Sequence, residues 1–159
     1  MTNSIKNTEL MAGCSGIPTT HATCGEQKPS LRVLLAEDSP TIQLIATHNL
    51  EQAGYVVEVA DNGYKAVQAL GEQDFDLVIM DVFMPEMNGL EATRTIRQQE
   101  QASGQRIPIV AMTGADTQEQ RQKCLAAGMD GFVSKPVTPN ELYEVIAPLL
   151  CRKWHCKSD

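Results

Sequence analysis

A small doubly wound α/β domain, with a parallel sheet and helices on both faces, is the fold class this sequence predicts. Five short apolar runs alternate with five amphipathic stretches between residues 31 and 150, and three of the runs are nearly unbroken in Val, Ile, Leu and Met. Unbroken runs suit strands buried on both faces, and parallel strands need crossovers long enough to hold a helix. A chain of 159 residues with 42% hydrophobic composition also carries enough apolar surface for one domain core.

The elements follow in order. Leu31–Ala36 is the first strand. Ser39-Pro40 then marks a helix start, a capping residue followed by Pro at the first helical position, and Ile42, Ile45, Leu50 and Ala53 supply an apolar face that Gly54 ends. Tyr55–Ala60 alternates, with Glu58 between Val57 and Val59, as a less buried edge strand would. Asn62–Leu70 places Ala66, Val67 and Leu70 on one side of a helix before Gly71. Leu77–Met80 is the third strand. Gly89–Gln99 is a helix carrying Leu90, Thr93 and Ile96, with a polar turn over Gln98–Gln105. Ile107–Met112 is the fourth strand, and Thr117–Ala127 a helix that Gly128 stops. Gly131–Val133 is the fifth strand, and Pro139–Leu150 a last helix burying Leu142, Val145, Ile146 and Leu149. Right-handed crossovers leave few ways to join such a series.

Composition narrows the setting. Residues 1–30 balance Lys6 and Lys28 against Glu9 and Glu26, are rich in Thr, Ser and Gly, and read as a flexible or disordered arm. Residues 31–151 form the domain, and 152–159 a short basic tail around Trp154. The net charge of −7 argues against a DNA-backbone binder and against anionic membrane surfaces. No run approaches the ~20 apolar residues of a membrane span, and Met1–Leu10 lacks the pattern of a secretory signal. A cytoplasmic setting is the expectation, with a membrane-anchored parent protein compatible with it. Cys14, Cys24, Cys124, Cys151 and Cys156 contain no CxxC pair, so they read as free thiols. Cys151, His155 and Cys156 come nearest to a metal cluster without the paired spacing that zinc needs. Met80, Met84 and Met112 read as core and loop filler.

In open parallel sheets, ligands bind beyond the carboxyl ends of the strands. Glu37-Asp38 follows the first strand, Asp81 the third, Thr113-Gly114 the fourth and Ser134-Lys135-Pro136 the fifth. Three carboxylates, a hydroxyl and a lysine therefore converge on one edge. Crowded carboxylates repel one another and suit a hard cation such as Mg²⁺. Mg²⁺, Lys and a hydroxyl around one reactive carboxylate are the parts for phosphoryl transfer, and an aspartate can be the covalent acceptor. Neither a GxxxxGK[ST] loop nor a GxGxxG follows the first strand, so nucleotide binding has no support.

With these residues goes an ordered set of motifs: Leu-Leu-Ala-Glu-Asp-Ser-Pro from 34, Asp-Asn-Gly from 61, Ile-Met-Asp-Val-Phe-Met-Pro-Glu-Met-Asn-Gly from 79, Ala-Met-Thr-Gly from 111 and Gly-Phe-Val-Ser-Lys-Pro from 131. Over roughly residues 31–151 the series resembles the receiver (phosphoacceptor) domain of two-component response regulators. Its phrasing is most like receivers of hybrid sensor histidine kinases. The resemblance implies the flavodoxin-like receiver fold, a five-stranded parallel sheet in the order 2-1-3-4-5 with five helices.

It also implies roles. Asp81 would be the phosphorylated aspartate. Asp38 and Asp81 would ligate Mg²⁺, for which Mn²⁺ could substitute, with the backbone carbonyl of Phe83, and Glu37 would act through water. Thr113 would contact the phosphoryl group and move with it, and Lys135 would pair with carboxylate and then phosphate. Pro136 would follow a cis peptide bond. Phe132 holds the place of the family's rotameric aromatic switch, and Gly114 that of a residue often Ala. Pro85, Met87 and Gly89 read as turn geometry.

His21, His48 and His155 lack convergent partners, so the phosphoryl group is expected from another histidine. The expected partners are a histidine kinase domain and a histidine phosphotransfer domain, without nucleic acid, by a monomer or weak dimer. Such a domain promotes its own phosphotransfer and dephosphorylation but is no kinase by itself. Nine residues after Leu150 are too few for a DNA-reading domain, and the 30-residue arm suits a segment of a longer hybrid kinase. A free-standing single-domain regulator is the alternative, and a receiver-like interaction module that is never phosphorylated is a third reading.

Overall fold

Alternating side chains set the layering. In the first strand, β1 (Arg32–Ala36), Val33 and Leu35 join one apolar cluster while Leu34 and Ala36 join the other. Successive strand residues point to opposite faces, so both faces of this strand are core. The structure, a computed structural model, describes residues 30–114 and 117–155, with side chains described as far as Cys151. Cys14, Cys24, His21, the arm to residue 29 and the tail from Cys156 lie outside the described residues, as do the side chains of Trp154 and His155.

The helix α1 (Pro40–Gln52) follows, then β2 (Val56–Ala60), α2 (Gly63–Glu72), β3 (Leu77–Asp81), α3 (Gly89–Ser103), β4 (Ile109–Thr113), α4 (Gln118–Ala127), β5 (Gly131–Ser134) and α5 (Pro139–His155). The sheet is wholly parallel, in the order β2-β1-β3-β4-β5. One cluster lies under α1 and α5, built on Leu35, Leu50, Ile79, Met112 and Ile146. The other lies under α2, α3 and α4, built on Leu34, Ala66, Met80, Ile96 and Cys124. The edge position expected of β2 is observed, and β1, β3 and β4 are the most buried strands.

Four local readings need correction. On α1 the buried residues are Ala46 and Leu50; Ile45 is 44% exposed, and Ala53 lies at the surface. A helix packed closely on a sheet takes the small Ala46 at its contact line, and the larger Ile45 is turned outward. Ser39 occupies the N-cap position of α1, but its side chain makes no capping hydrogen bond. Finally, α3 does not stop at Gln99. It runs to Ser103, where Gly104 in the left-handed region (φ 70°) ends it. The last helix likewise continues past Leu150 to His155, with Pro148 inside it.

Candidate functional site

The strand order brings β1, β3, β4 and β5 side by side, so their carboxyl ends form one edge. Glu37 continues β1, its N–H donating to the Ala60 carbonyl at 2.9 Å, and its side chain is fully buried. Asp38 is one residue further and exposed. Asp81 closes β3 and is 2% exposed, while Thr113 closes β4 and is buried beside it. Lys135 follows β5, held by its N–H to the Thr113 carbonyl at 3.0 Å, and the next peptide, Lys135-Pro136, is cis. All five edge residues expected from the sequence come together.

Their geometry is that of a cation-poor acidic pocket. One carboxylate oxygen from each of Glu37, Asp38 and Asp81 lies within 4.8 Å of the others. The Lys135 ammonium sits 2.8 Å from Oε2 of Glu37 and 2.8 Å from Oδ2 of Asp81. On the far side, Oδ1 of Asp81 accepts from the Phe83 N–H at 3.2 Å, and Oε1 of Glu37 accepts from the Ser39 N–H at 3.0 Å. Burial pushes the Glu37 carboxyl above its ordinary value, against the pull of Lys135 and the Ser39 N–H. Burial would lower Lys135, but the Asp81 and Glu37 carboxylates outweigh it, so the ammonium is held more firmly than usual.

One ammonium does not satisfy this set. Oε2 of Glu37 is buried without a well-directed hydrogen bond, despite the nearby Lys135 charge. A buried carboxylate oxygen in that state is costly unless a further partner reaches it. Three oxygen donors at this spacing are the ligand set of a hard divalent cation. The residues therefore fit Mg²⁺.

The loop after Asp81 is shaped by glycine. A methyl group at Gly89 would overlap the carbonyl oxygen of Asp81, so α3 begins directly against the acidic residue's own backbone. Its first turn is fixed by a capping box between Asn88 and Glu91. The Phe83 ring projects to solvent, 64% exposed. On the other side of Thr113, Phe132 is half-buried in a small cleft with Arg121, Ser134 and Glu141, and the Arg121 guanidinium lies 5.7 Å from the ring centroid.

Sequence reasoning missed several members of this edge. Gln43 reaches back from α1 to the Glu37 carbonyl at 2.6 Å, and the Ser39 backbone serves Glu37 while its side chain leaves α1 uncapped. Neither contact has a signature in residue type alone, because a backbone N–H belongs to every residue. Glu141 had one: an acidic residue in the first turn of α5, where it accepts from the N–H of Ser134 at 2.9 Å.

Known proteins share this arrangement. The response regulator receiver domain family matches residues 33–147. The sensor histidine kinase GacS of Pseudomonas protegens is 40% identical over 116 residues, covering 72% of this chain and 13% of the kinase. The chain spans between 8% and 16% of the length of such kinases. Among solved structures, the receiver domain of the sensor histidine kinase PA1611 of Pseudomonas aeruginosa, with a magnesium ion in its active-site cleft, is 36% identical. It covers 77% of this chain and 96% of that one, with a TM-score of 0.67. The receiver domain of the Saccharomyces cerevisiae regulator Ssk1, solved with the histidine phosphotransfer protein Ypd1, is 30% identical, with coverage of 79% and 92% and a TM-score of 0.73. This chain belongs to the response regulator receiver domain family, close to the receivers of hybrid sensor histidine kinases.

Proposed function

We propose that this domain accepts a phosphoryl group from a phosphohistidine onto Asp81 and relays it to a histidine phosphotransfer partner. The observation that carries the reading is Asp81 itself. It is 2% exposed at the end of a central strand, with one oxygen on the Lys135 ammonium and the other on the Phe83 N–H. An oxygen of Asp81 attacks phosphorus, the P–N bond to imidazole breaks, and the electron pair leaves with the imidazole nitrogen. Lys135, now near both partners, follows the charge onto the phosphoryl oxygens, and the Thr113 hydroxyl contacts the same group.

Asp38 and Asp81, with the backbone carbonyl of Phe83, would hold Mg²⁺ directly, and Glu37 would hold it through water. When bound, it offsets the carboxylate repulsion and the charge of the incoming phosphoryl group. Mg²⁺-dependent labelling by acetyl phosphate or a phosphohistidine donor tests the reading. Asp81→Asn should abolish labelling, as should excess chelator. Labelling that survives either treatment would sink the assignment.

Likeness to GacS and PA1611 supports a hybrid sensor histidine kinase as the parent. The second reading is a free-standing regulator; the Vibrio cholerae chemotaxis protein CheY4 is 34% identical, and the match covers 75% of this chain and 98% of that one. Under the first reading, a phosphotransfer domain docks on α1 and the 135–140 loop. Leu44 is 73% exposed there and adjoins the exposed Ile45. Titration with such a domain should shift α1 amides; shifts confined to α4 would reject this surface.

A further inference from the structure

The Asp61-Asn62-Gly63 turn is part of the family's motif series, yet the chemistry above gives it no task. Asn62 uses both ends of its amide. Its Oδ1 accepts from the Lys65 N–H at 2.8 Å, capping α2, and its Nδ2 donates to Oε2 of Glu86 at 3.1 Å. Next to it, the Gly63 N–H donates to the Met87 carbonyl at 3.2 Å. A Cβ on Gly63 would lie 2.5 Å from that oxygen, so the approach requires glycine. Two consecutive residues at the start of α2 thus grip two consecutive residues of the loop between β3 and α3.

The other end of that loop carries the Phe83 N–H that holds Oδ1 of Asp81. Between the two ends, Met84 is buried, but Phe83, Pro85 and Glu86 are exposed. Glu86 also has φ 66°, the one positive φ at a residue other than glycine among the described residues. A residue with a Cβ enters that region at a cost, so it stays there when its surroundings hold it. Asn62 supplies a hold on the Glu86 side chain.

We propose that Asn62 is a positioning residue for the phosphoryl site. It fastens Glu86 and, through the loop backbone, adds to the hold that the Gly89 N–H has on the Val82 carbonyl at 3.0 Å, so that the Phe83 N–H of the same peptide keeps the Asp81 carboxylate oriented. This rests on the acceptor reading above and deepens it. Asn62 touches no reacting atom. Its effect should show in Mg²⁺ binding, because a carboxylate free to rotate loses the orientation in which it shares a cation with Glu37 and Asp38.

Three variants of the full chain test the proposal. Asn62→Asp keeps the cap, since Asp caps a helix as well as Asn does, but it cannot donate to Glu86. Glu86→Gln keeps an acceptor for Asn62. The double variant exchanges donor and acceptor and rebuilds the link at the original net charge. Dissociation constants for Mg²⁺ come from amide NMR titration with magnesium chloride.

Asn62→Asp should bind Mg²⁺ about fivefold more weakly, the scale of one hydrogen bond, with the fold retained. Glu86→Gln and the double variant should match the original protein. Charge alone predicts the reverse order: tightest binding in Asn62→Asp, weakest in Glu86→Gln. That order, an unchanged constant in Asn62→Asp, or a double variant that does not recover would overturn the proposal. No phosphoryl donor is involved, so absent labelling at Asp81 would sink the proposed function and leave this test standing.

Discussion

Charge gathers at both ends of this sheet, and the two ends are balanced differently. At the amino ends of β4 and β5, Arg97 and Arg106 meet Glu100 and Asp130, two cations against two anions. Arg97 makes four hydrogen bonds through its guanidinium, to Glu100, to Asp130, and to the carbonyls of Gly128 and Ile107. The carboxylates also accept from the N–H groups of Ile107 and Ile109. At the carboxyl ends, Glu37, Asp38 and Asp81 face the single ammonium of Lys135. The first cluster is complete and ties α3 to the start of β4 and β5. The second is short of positive charge, and that shortage is the property a cation and a phosphoryl group can use.

The largest expected effect comes from the balanced end. Arg97→Ala should cost about 3 kcal/mol in urea unfolding, because it strands partly buried carboxylates and carbonyls together. The folded fraction should still label at Asp81. Lys135→Ala should cost about 2 kcal/mol in chelator, by leaving Glu37 and Asp81 without a counter-charge. Saturating Mg²⁺ should recover more stability in this variant than in the original protein. If Mg²⁺ stabilises both equally, the acidic end is not short of positive charge.

Smaller changes sharpen the contrast. Gly128 has φ 103° and its missing Cβ would lie 3.0 Å from Cγ of Arg97, so Gly128→Ala should cost about 1–2 kcal/mol by both routes. Thermal melts would show it, with Mg²⁺ binding unchanged. Arg106 is 59% exposed at its side chain, and Arg106→Ala should cost no more than about 0.5 kcal/mol, an effect erased by salt. A large, salt-insensitive loss would mean that Arg106 shares the buried work of Arg97.

Much of this was legible in the residues. The strands announced themselves through short apolar runs, and the edge cluster followed from reading what stands after each run. Gly128 marked the end of α4 because a positive φ suits glycine. The polar stretch after Ile96 misled, since Gln98 to Gln105 has no apolar period. The helix persists there with Arg97 and Glu100 paired on one side and Gly104 as its stop. On α1, hydrophobicity favoured Ile45, whereas the close contact with the sheet selected Ala46. Contacts such as Gln43 with the Glu37 carbonyl, or Asn62 with Glu86, depend on loop geometry that composition does not encode.

Gly89 leaves a further mark on how this protein can change. Its hydrogen atom lies where any other residue would press a carbon into the Asp81 carbonyl, so the Asp81 backbone and the start of α3 are packed without a gap. A displacement of Asp81 would therefore press on the opening turn of α3. Evolution meets the same wall. The surface of α3 is open to drift, since Arg94 and Gln98 face solvent, but its first residue is closed to every alternative that carries a side chain. New specificity can be written onto this helix only downstream of its opening turn.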